Sequence, residues 1–598
     1  MTSGQLGVVP CYPCEVMWDL TYALAEEIGD PDLFVGREKE MARLLKWAAG
    51  TKRRISKSMA ILSRRKKGKT ALLQRFFNVL YTRNDPQLIP FYYRIPEQRQ
   101  TQPDFTEAFY RRVLTQYFAF TTRTPEWVST VLPMDDLKEL AASDRHLATD
   151  IRAMEDMLAR APTAAWNFAQ EAGHRISQWK DVRILQILDE FQYLNQYVVA
   201  DDDAKRVVLL CHSYMGPAES KFSPQIVAGS YIGWLETILS HLTARYLRWH
   251  LEGLADAEAL EAVYNYAYTY QVAVTDETAP YIAQVCDNDP FYIAAMISNR
   301  SDEKDLTTEQ GVRDALTLET ITGKGEIAHV WGEYLAGAFA RVNDRNARKI
   351  VLYLAAHEPE ERNRDQIHDD LKLDITDDEL AERLHKLVMA DILARGSTDF
   401  RYRGLGDRVF AMVFRRIYGE EIDRVSVGQI DDDFKRELAS LKGQLSVHKG
   451  SAAEYRVRYR LLVAALAGAT LADVVKGSDD ASSVGATPIG PFKVIRKSRF
   501  YVGQERSVEV DLHAVHEDDG GTDLMIEVKD WEKEPTEGVV RRFVEVGQAL
   551  RGQLERKTVF LFYSERGVGA EAVVTLAEAA VLILDPEKLA GFEAFPRP

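Results

Sequence analysis

The segment 63–70, SRRKKGKT, constrains this chain more than any other. An apolar run, SMAILS, ends at its first residue, and a helical pattern, TALLQRFFNVL, begins at its last. The segment fits G-x-x-x-x-G-K-[ST] with Ser63 in place of the first glycine. In such a strand–loop–helix, backbone N–H groups and the helix N-terminus surround phosphates. We therefore expect Ser63, Gly68, Lys69 and Thr70 to bind ATP, with Lys69 on the β- and γ-phosphates and Thr70 on Mg²⁺. A basic surface loop is the alternative.

A second motif follows in the segment 183–190, RILQILDE, an apolar run that ends in two acids. An aspartate at the end of such a strand lies beside the Mg²⁺ ion of a nucleotide site, so Asp189 is the predicted second metal ligand. Glu190 can then polarise the attacking water. The pair of motifs, in this order, predicts ATP hydrolysis.

Three smaller features complete the predicted nucleotide site. Gly36 and Arg37 precede the loop, where related ATPases have an adenine-contacting turn. Ser230, after the apolar run PQIVAG, is a candidate sensor of the γ-phosphate. Arg245 or Arg248 is a candidate arginine finger for a neighbouring subunit. A helix cap or a solvated charge is the alternative for each of them.

Short apolar runs at 58–63, 88–95, 183–190 and 224–230 alternate with helical patterns. Such runs are typical of buried parallel strands, so an α/β fold is predicted, with the mostly helical stretch 97–180 inserted between strands. The predicted domains are a lead at 1–33, a P-loop core at 34–250, a helical lid at 251–340, a winged helix at 341–425, a linker at 426–449 and a second α/β domain at 450–598.

The motifs FVGRE, SRRKKGKT, ILDEFQYL, VAGS and DNDPFYI together resemble the archaeal-type ATPase family, which groups with the STAND and AAA+ P-loop NTPases. The resemblance covers residues 34 to about 420 and implies the helical lid and the winged helix. Members usually have glycine at the position of Ser63. They have Gly-Asn-Pro where this chain has Asn288, Asp289 and Pro290.

The winged-helix pattern carries unfavourable charges for reading DNA sequence. Its predicted recognition helix, 376–389, begins with acids, whereas a helix in the major groove needs Arg, Lys, Asn or Gln there. An interdomain or regulatory module is therefore favoured, with backbone contact through the wing as the alternative. The wing and its flank are basic through Arg395, Arg401, Arg403, Arg408, Arg415 and Arg416.

The last segment contains Asp511 on one predicted strand, 507–515, and Glu527 and Lys529 on the next, 523–529. Adjacent strands can bring the two carboxylates together to bind Mg²⁺. Lys529 shares the face of Glu527 because strand side chains alternate, and it can activate water there. Glu454, on the helix that opens the segment, is a further candidate metal ligand. Further strands are predicted near 493–502, 557–563 and 580–584.

The ordered set E…D…E-x-K resembles the PD-(D/E)xK nuclease superfamily, close to Mrr-like restriction endonucleases and Holliday-junction-resolvase-like domains. The resemblance implies a restriction-endonuclease-like α/β fold and metal-dependent cleavage of DNA, with Asp511, Glu527 and Lys529 as catalytic residues. Val510 stands where the name of the superfamily has proline. An ordinary strand with solvated charges, or a fold that has lost cleavage, are the alternatives.

Net charge and hydropathy limit the classes of partner that this chain can bind. The net charge of −16 excludes nucleic-acid binding over the whole surface and restricts it to local basic patches, the densest of which spans residues 52–67. No apolar run reaches membrane length and no secretory signal opens the chain, so we expect a cytoplasmic protein without a membrane partner. Cys11 and Cys14 lack a second pair for a zinc site and are interpreted as reduced thiols.

The combined prediction is an ATP-dependent or ATP-regulated, Mg²⁺-dependent DNA endonuclease that forms homo-oligomers and serves defence against foreign DNA. One alternative is a STAND-like switch that oligomerises with ATP and binds DNA or a partner without cutting. DNA repair or recombination, or a remodelling ATPase, are further alternatives.

Overall fold

The computed structural model describes residues 20–593, with gaps at 201–206, 231, 243, 299–303, 322–323, 340–344, 399, 424–435, 437, 439–448, 478–483, 503–505, 531–533 and 552–553. Cys11, Cys14 and most of the predicted linker lie outside the described residues. The chain divides into two compact units. The amino-terminal unit comprises Asp19–Gly253 and Trp331–Ser426, and the carboxy-terminal unit comprises Leu254–Val330 and Val427–Pro598.

The strands form two large sheets and two small ones. In chain order they are β1 Met59–Leu62, β2 Leu88–Arg94, β3 Gln100–Thr101, β4 Arg183–Asp189, β5 Val198–Val199, β6 Gln225–Gly229, β7 Leu247–His250, β8 Arg362–Asn363, β9 Ala394–Arg395, β10 Arg401–Arg403, β11 Phe492–Val502, β12 Arg506–His516, β13 Asp523–Lys529, β14 Thr558–Ser564 and β15 Val581–Leu584.

Helices make up most of the remaining described chain. They are α1 Glu38–Lys52, α2 Lys69–Arg83, α3 Gln102–Thr121, α4 Met134–Ala141, α5 Arg145–Arg160, α6 Ala165–Gln170, α7 Ala172–Lys180, α8 Ile232–His241, α9 Asp256–Tyr270, α10 Thr278–Val285, α11 Pro290–Ser298, α12 Glu309–Thr320, α13 Glu326–Phe339, α14 Arg345–Ala356, α15 Arg364–Leu371, α16 Asp377–Met389, α17 Arg408–Asp423, α18 Lys449–Leu466, α19 Glu537–Arg551, α20 Ala570–Glu578 and α21 Pro586–Ala590. Within the described ranges, no helix is both long enough and apolar enough to cross a bilayer.

The amino-terminal unit is built on a parallel sheet with the strand order β2-β4-β6-β1-β7. Every residue of β1, β4 and β6 is buried, which explains why these strands are continuous apolar runs. The predicted α/β fold is confirmed here, and helices α3–α7 lie between β2 and β4 in the chain as the sequence indicated. The carboxyl ends of β1, β4 and β6 meet at one edge of the sheet, where ligands of such sheets bind.

A small antiparallel sheet, with the order β8-β10-β9, belongs to the same unit and lies among helices α14–α17 of the chain. Helix α16 begins close to its predicted start because Thr376 caps it, accepting the amide of Glu379 in a capping box. Arg395, Arg401 and Arg403 lie on β9 and β10, and the remaining arginines of the predicted flank lie on α17.

In the carboxy-terminal unit a second sheet has the order β11-β12-β13-β14-β15, antiparallel from β11 to β13 and parallel from β13 to β15. Helices α18 and α21 cover one face, where Val457 and Leu461 pack near Ile526. Helices α19 and α20 cover the other, where Phe543 packs with Phe560. All five strands lie where the sequence predicts them.

Candidate functional site

The loop between β1 and α2 contains residues with a left-handed backbone. Gly68 caps α2 with φ 79°, and Lys66 has φ 67°. Ser63 is not among the described residues with a positive φ. Because only positive φ favours glycine over serine, Ser63 carries no backbone penalty in this loop. Its hydroxyl donates to the Arg64 carbonyl at 3.1 Å.

Lys69 is buried, and its ammonium donates to the backbone carbonyl oxygens of Gly229 and, at 3.5 Å, of Ser63. Burial lowers the pKa of Lys69, although Asp189 and Glu190 act in the opposite direction. The predicted phosphate ligand thus lies where β1 and β6 end.

Thr70 and Asp189, the two predicted magnesium ligands, are in direct contact. The Thr70 hydroxyl donates to Asp189 Oδ2 at 2.8 Å, and the Tyr92 hydroxyl donates to the same oxygen at 3.2 Å. Burial raises the pKa of Asp189 even though Lys69 opposes the shift. A hydroxyl and a carboxylate oxygen this close are the ligand types that Mg²⁺ takes, so these residues fit the ion.

Glu190 and Ser230 are also brought together. The Ser230 hydroxyl donates to Glu190 Oε2 at 2.7 Å, and the Gln192 side-chain amide donates to the same oxygen. Glu190 has φ 54°, a left-handed conformation that is uncommon for a non-glycine residue and clusters at functional sites. The candidate water-polarising carboxylate is therefore held by the candidate sensor.

The other predicted nucleotide residues lie apart from this cluster. Arg37 donates to the Lys67 carbonyl of the phosphate loop at 2.8 Å and to the Gly253 carbonyl at 3.3 Å, and Gly36 before it has φ 67°. Arg245 donates to the Met215 carbonyl at 3.0 Å and pairs with Glu219 at 3.3 Å, and Arg248 lies within β7. Their roles towards adenine or a neighbouring subunit stay predictions.

At the carboxy-terminal site, Lys529 joins the two predicted metal carboxylates. Its ammonium lies 3.1 Å from Asp511 Oδ2 and 2.7 Å from Glu527 Oε1. The backbone N–H of Val528 donates to Asp511 Oδ2 at 3.0 Å. Burial raises the pKa of Glu527, and the Asp511 carboxylate adds to this shift. The sequence motif is thus assembled on β12 and β13.

Glu454 approaches the same group through a residue that the sequence did not single out. Lys497, on β11, has its ammonium 3.7 Å from Glu454 Oε1, 3.8 Å from Asp511 Oδ1 and 3.2 Å from Glu509 Oε1. Burial raises the pKa of Glu454 to about 7, although Lys497 lowers it. Carboxylates from a helix and two strands thus share two lysines.

The carboxylate oxygens of Glu454, Asp511 and Glu527 have the chemistry of a hard-cation site. Across the described part of the chain, however, no group of three or more His, Cys, Asp or Glu side chains is positioned to hold a metal ion. Asp511 contacts both lysines instead. Binding of a metal by these carboxylates stays a prediction.

Reasoning from sequence did not identify four residues near these sites. Tyr92 and Gln192 contact Asp189 and Glu190, and Asp391 accepts the backbone N–H of Gly233 beside Ser230. Gln192 lies two positions after Glu190 in the chain, and it is the one residue of the four that a search next to the predicted acidic pair could have found. Lys497 and Asp391 reach their sites from distant segments of the chain.

No family model and no curated protein matches this chain. Solved structures give weak similarities. A Walker-type ATPase of Pyrococcus abyssi is 15% identical over 64% of this chain and 96% of its own, with a TM-score of 0.42. The ORC2 protein of Aeropyrum pernix in its ADP form is 13% identical over 70% of this chain and 98% of its own, with a TM-score of 0.34. The RuvB Holliday junction branch migration motor of Thermotoga maritima is 15% identical over 63% of this chain and 94% of its own, with a TM-score of 0.28.

Proposed function

We propose that the amino-terminal unit binds ATP with Mg²⁺ and hydrolyses it. Support comes from the contact of Thr70 with Asp189 at 2.8 Å, at the sheet edge where Lys69 also ends. Thr70 and Asp189 would hold Mg²⁺, which stabilises charge on the transferred phosphoryl group when bound. Lys69 would bind the phosphates, and Glu190 would accept a proton from the attacking water.

We further propose that the whole chain is an ATP-dependent or ATP-regulated, Mg²⁺-dependent DNA endonuclease. The observation that carries this proposal is the position of Lys529, within 3.1 Å of Asp511 and 2.7 Å of Glu527 on adjacent strands. Asp511, Glu527 and Glu454 would hold the ion, which polarises the scissile phosphate. Lys529 would orient the water that attacks phosphorus.

The remaining parts of the proposal concern domains and partners. The small sheet with α14–α17 is interpreted as a winged helix that serves as an interdomain or regulatory module, because the acidic first turn of α16 would be repelled by DNA phosphates. Contact of its arginine-bearing strands with the DNA backbone is the alternative. We propose residues 450–598 as a PD-(D/E)xK domain, homo-oligomers that depend on nucleotide, a cytoplasmic location, and a role in defence against foreign DNA.

One panel tests both activities. Purified wild-type protein, Lys69→Ala and Asp511→Asn are incubated with linear, nicked and supercoiled DNA and with RNA, with Mg²⁺ or Mn²⁺, and with or without ATP. Phosphate release and strand cleavage are measured in each mixture. We expect Lys69→Ala to abolish phosphate release, and Asp511→Asn to abolish cleavage while phosphate release continues.

Matched controls separate chemistry from misfolding. Lys46→Ala and Asp519→Asn remove the same charges at exposed positions and should behave as wild type. Cleavage by Asp511→Asn at the wild-type rate would rule out the nuclease proposal. Equal phosphate release by wild type and Lys69→Ala would rule out the ATPase proposal.

A second candidate function is an ATP-driven switch whose carboxy-terminal unit binds DNA or a partner without cutting. Two contacts favour it: Arg64 of the phosphate loop pairs with Asp407 at 3.2 Å, and Asp391 accepts the backbone N–H of Gly233 at 3.0 Å. Both acids come from the winged-helix segment. Nucleotide at the phosphate loop would compete with Asp407 for Arg64, and Asp391 joins the same segment to the start of α8. Mass measurement with and without ATP tests this candidate: assembly must require ATP, and Lys69→Ala must block it.

A further inference from the structure

Two lysines face the carboxylates of the carboxy-terminal site, and they differ in how firmly they are held. Lys529 donates to Asp511 at 3.1 Å and to the Val528 carbonyl at 3.1 Å, and it lies 2.7 Å from Glu527. Its side chain is 17% exposed. Lys497 makes longer ion pairs, from 3.2 to 3.8 Å, and its side chain is 47% exposed.

A break in the strand pairing brings Lys497 to this position. Arg496 pairs with His513 and Ser498 pairs with Val510, so Lys497 alone stands opposite two residues of β12, one of which is Asp511. This arrangement is a β-bulge, which re-aims side chains and is common beside active sites. The pairing of β12 with β13 also ends before Asp511, whose carboxylate accepts the Val528 amide instead.

The positive charges of the two lysines determine how each side chain responds when a divalent metal ion binds. A divalent ion at Asp511 and Glu454 would lie against the Lys497 ammonium, which now contacts both carboxylates. Two cations at one carboxylate repel each other, and this repulsion is strong where water is partly excluded. Lys497 is the lysine that yields, because its contacts are longer and its flexible stem already reaches solvent.

We propose that Lys497 is a DNA-phosphate-binding residue of this site and acts as an internal counter-ion until a divalent metal displaces it. The displaced ammonium stays tethered to β11, and because the Lys497 side chain is 47% exposed against 14% for Asp511, it can contact a phosphodiester that approaches the metal from solvent. This inference rests on the proposed nuclease function. It adds a substrate contact and an order of binding, metal before DNA.

The test uses the full chain with Lys497→Gln, which removes the charge and keeps most of the length. Loss of the counter-ion should tighten Mn²⁺ binding at least about threefold in calorimetry, because repulsion is removed. Lys497→Gln should also weaken the binding of a DNA duplex measured in the presence of Ca²⁺. The slope of log affinity against log salt concentration should fall by about one. A merely structural role would not move the two affinities in opposite directions.

Two variants serve as controls. Lys493→Gln, exposed on the same strand, should leave both affinities within about twofold of wild type, the range of a solvated surface charge. Lys497→Arg keeps the charge and should keep DNA binding. Weaker Mn²⁺ binding in Lys497→Gln, or unchanged DNA binding and salt slope, would overturn the inference.

The outcome is distinct from failure of the nuclease proposal itself. If wild type cleaves DNA, Asp511→Asn does not, and Lys497→Gln matches wild type in every measurement, only the role of Lys497 is refuted. If neither wild type nor any variant binds Mn²⁺ or cleaves, the nuclease proposal fails and this inference fails with it.

Discussion

Asp391 provides a direct test of the electrostatics near the phosphate loop. Its carboxylate accepts the backbone N–H groups of Ile232 and Gly233, at 2.5 and 3.0 Å, and so caps α8, which begins two positions after Ser230. Burial raises the pKa of Asp391 to about 7, although both backbone hydrogen bonds oppose the shift. The folded state therefore retains a proton that the unfolded state releases near pH 4.

The sign of the pH dependence follows. Between pH 4 and 7 the folded state binds more protons than the unfolded state, so stability falls as the pH rises through this window. One pKa unit corresponds to about 1.36 kcal/mol, so the two units between pH 5 and 7 give an upper limit of about 2.7 kcal/mol. Asp391→Asn cannot ionise, and its contribution is therefore independent of pH.

Hydrogen exchange of the peptide 232–241 measures this effect, since opening of α8 breaks both contacts. The ratio of wild type to Asp391→Asn cancels the intrinsic pH dependence of exchange. We expect the opening free energy of wild type to fall relative to the variant by at most about 2.7 kcal/mol from pH 5 to pH 8. The peptide 145–160, in α5, should show no difference. A flat ratio, or one that rises with pH, would refute the electrostatic assignment.

Three other predictions concern stability and reactivity. Glu26→Gln breaks the ion pair of Glu26 with Arg75, whose atoms lie 2.8 Å apart and whose side chains are at most 3% exposed. Because the Arg75 charge is then buried without a partner, the free energy of unfolding measured in urea should fall by about 3 to 5 kcal/mol, and a loss below about 1 kcal/mol would contradict this. Gly229→Ala would place a Cβ 2.1 Å from Gln192 Oε1 and displace the side-chain amide that donates to Glu190, so ATP turnover should fall; turnover equal to wild type would contradict a role for this contact in hydrolysis. Burial raises the pKa of the Cys286 thiol well above its usual value, so iodoacetamide at pH 8 should leave Cys286 unmodified in the native protein and label it only after unfolding, as peptide mass spectrometry would show.

The sequence predicted those parts of the sheets whose burial is continuous. Strands β1, β4 and β6 are buried at every position and therefore appear as apolar runs bounded by polar residues. Strand β7 was missed because only Trp249 among its residues is buried, as fits an edge strand, so no apolar run marks it. A search for apolar runs detects buried strands, and three of the four residues of β7 are exposed.

Local sequence patterns could not identify the residues that reach a site from distant segments of the chain. Lys497 stands opposite Asp511 only because the register shifts between Arg496 and Ser498, and no residue type in the sequence signals that shift. Asp391 caps α8 from a segment far along the chain. Ser63 shows the opposite case, since its departure from the glycine pattern is tolerated because the positive φ angles fall on later residues of the loop.

Both candidate sites bury acids beside a lysine, and this affects how loss-of-function variants are interpreted. Lys69 counters Asp189 and Glu190, and Lys529 counters Asp511 and Glu527. Removing one partner of a buried pair leaves an uncompensated charge and costs stability, whereas removing both often does not. A variant that lacks only the lysine can therefore lose activity through misfolding. The double variant Asp511→Asn with Lys529→Met separates the two effects: if it regains the stability that Lys529→Met loses but does not cleave, misfolding does not explain the loss of cleavage and at least one of the two groups acts in the chemistry.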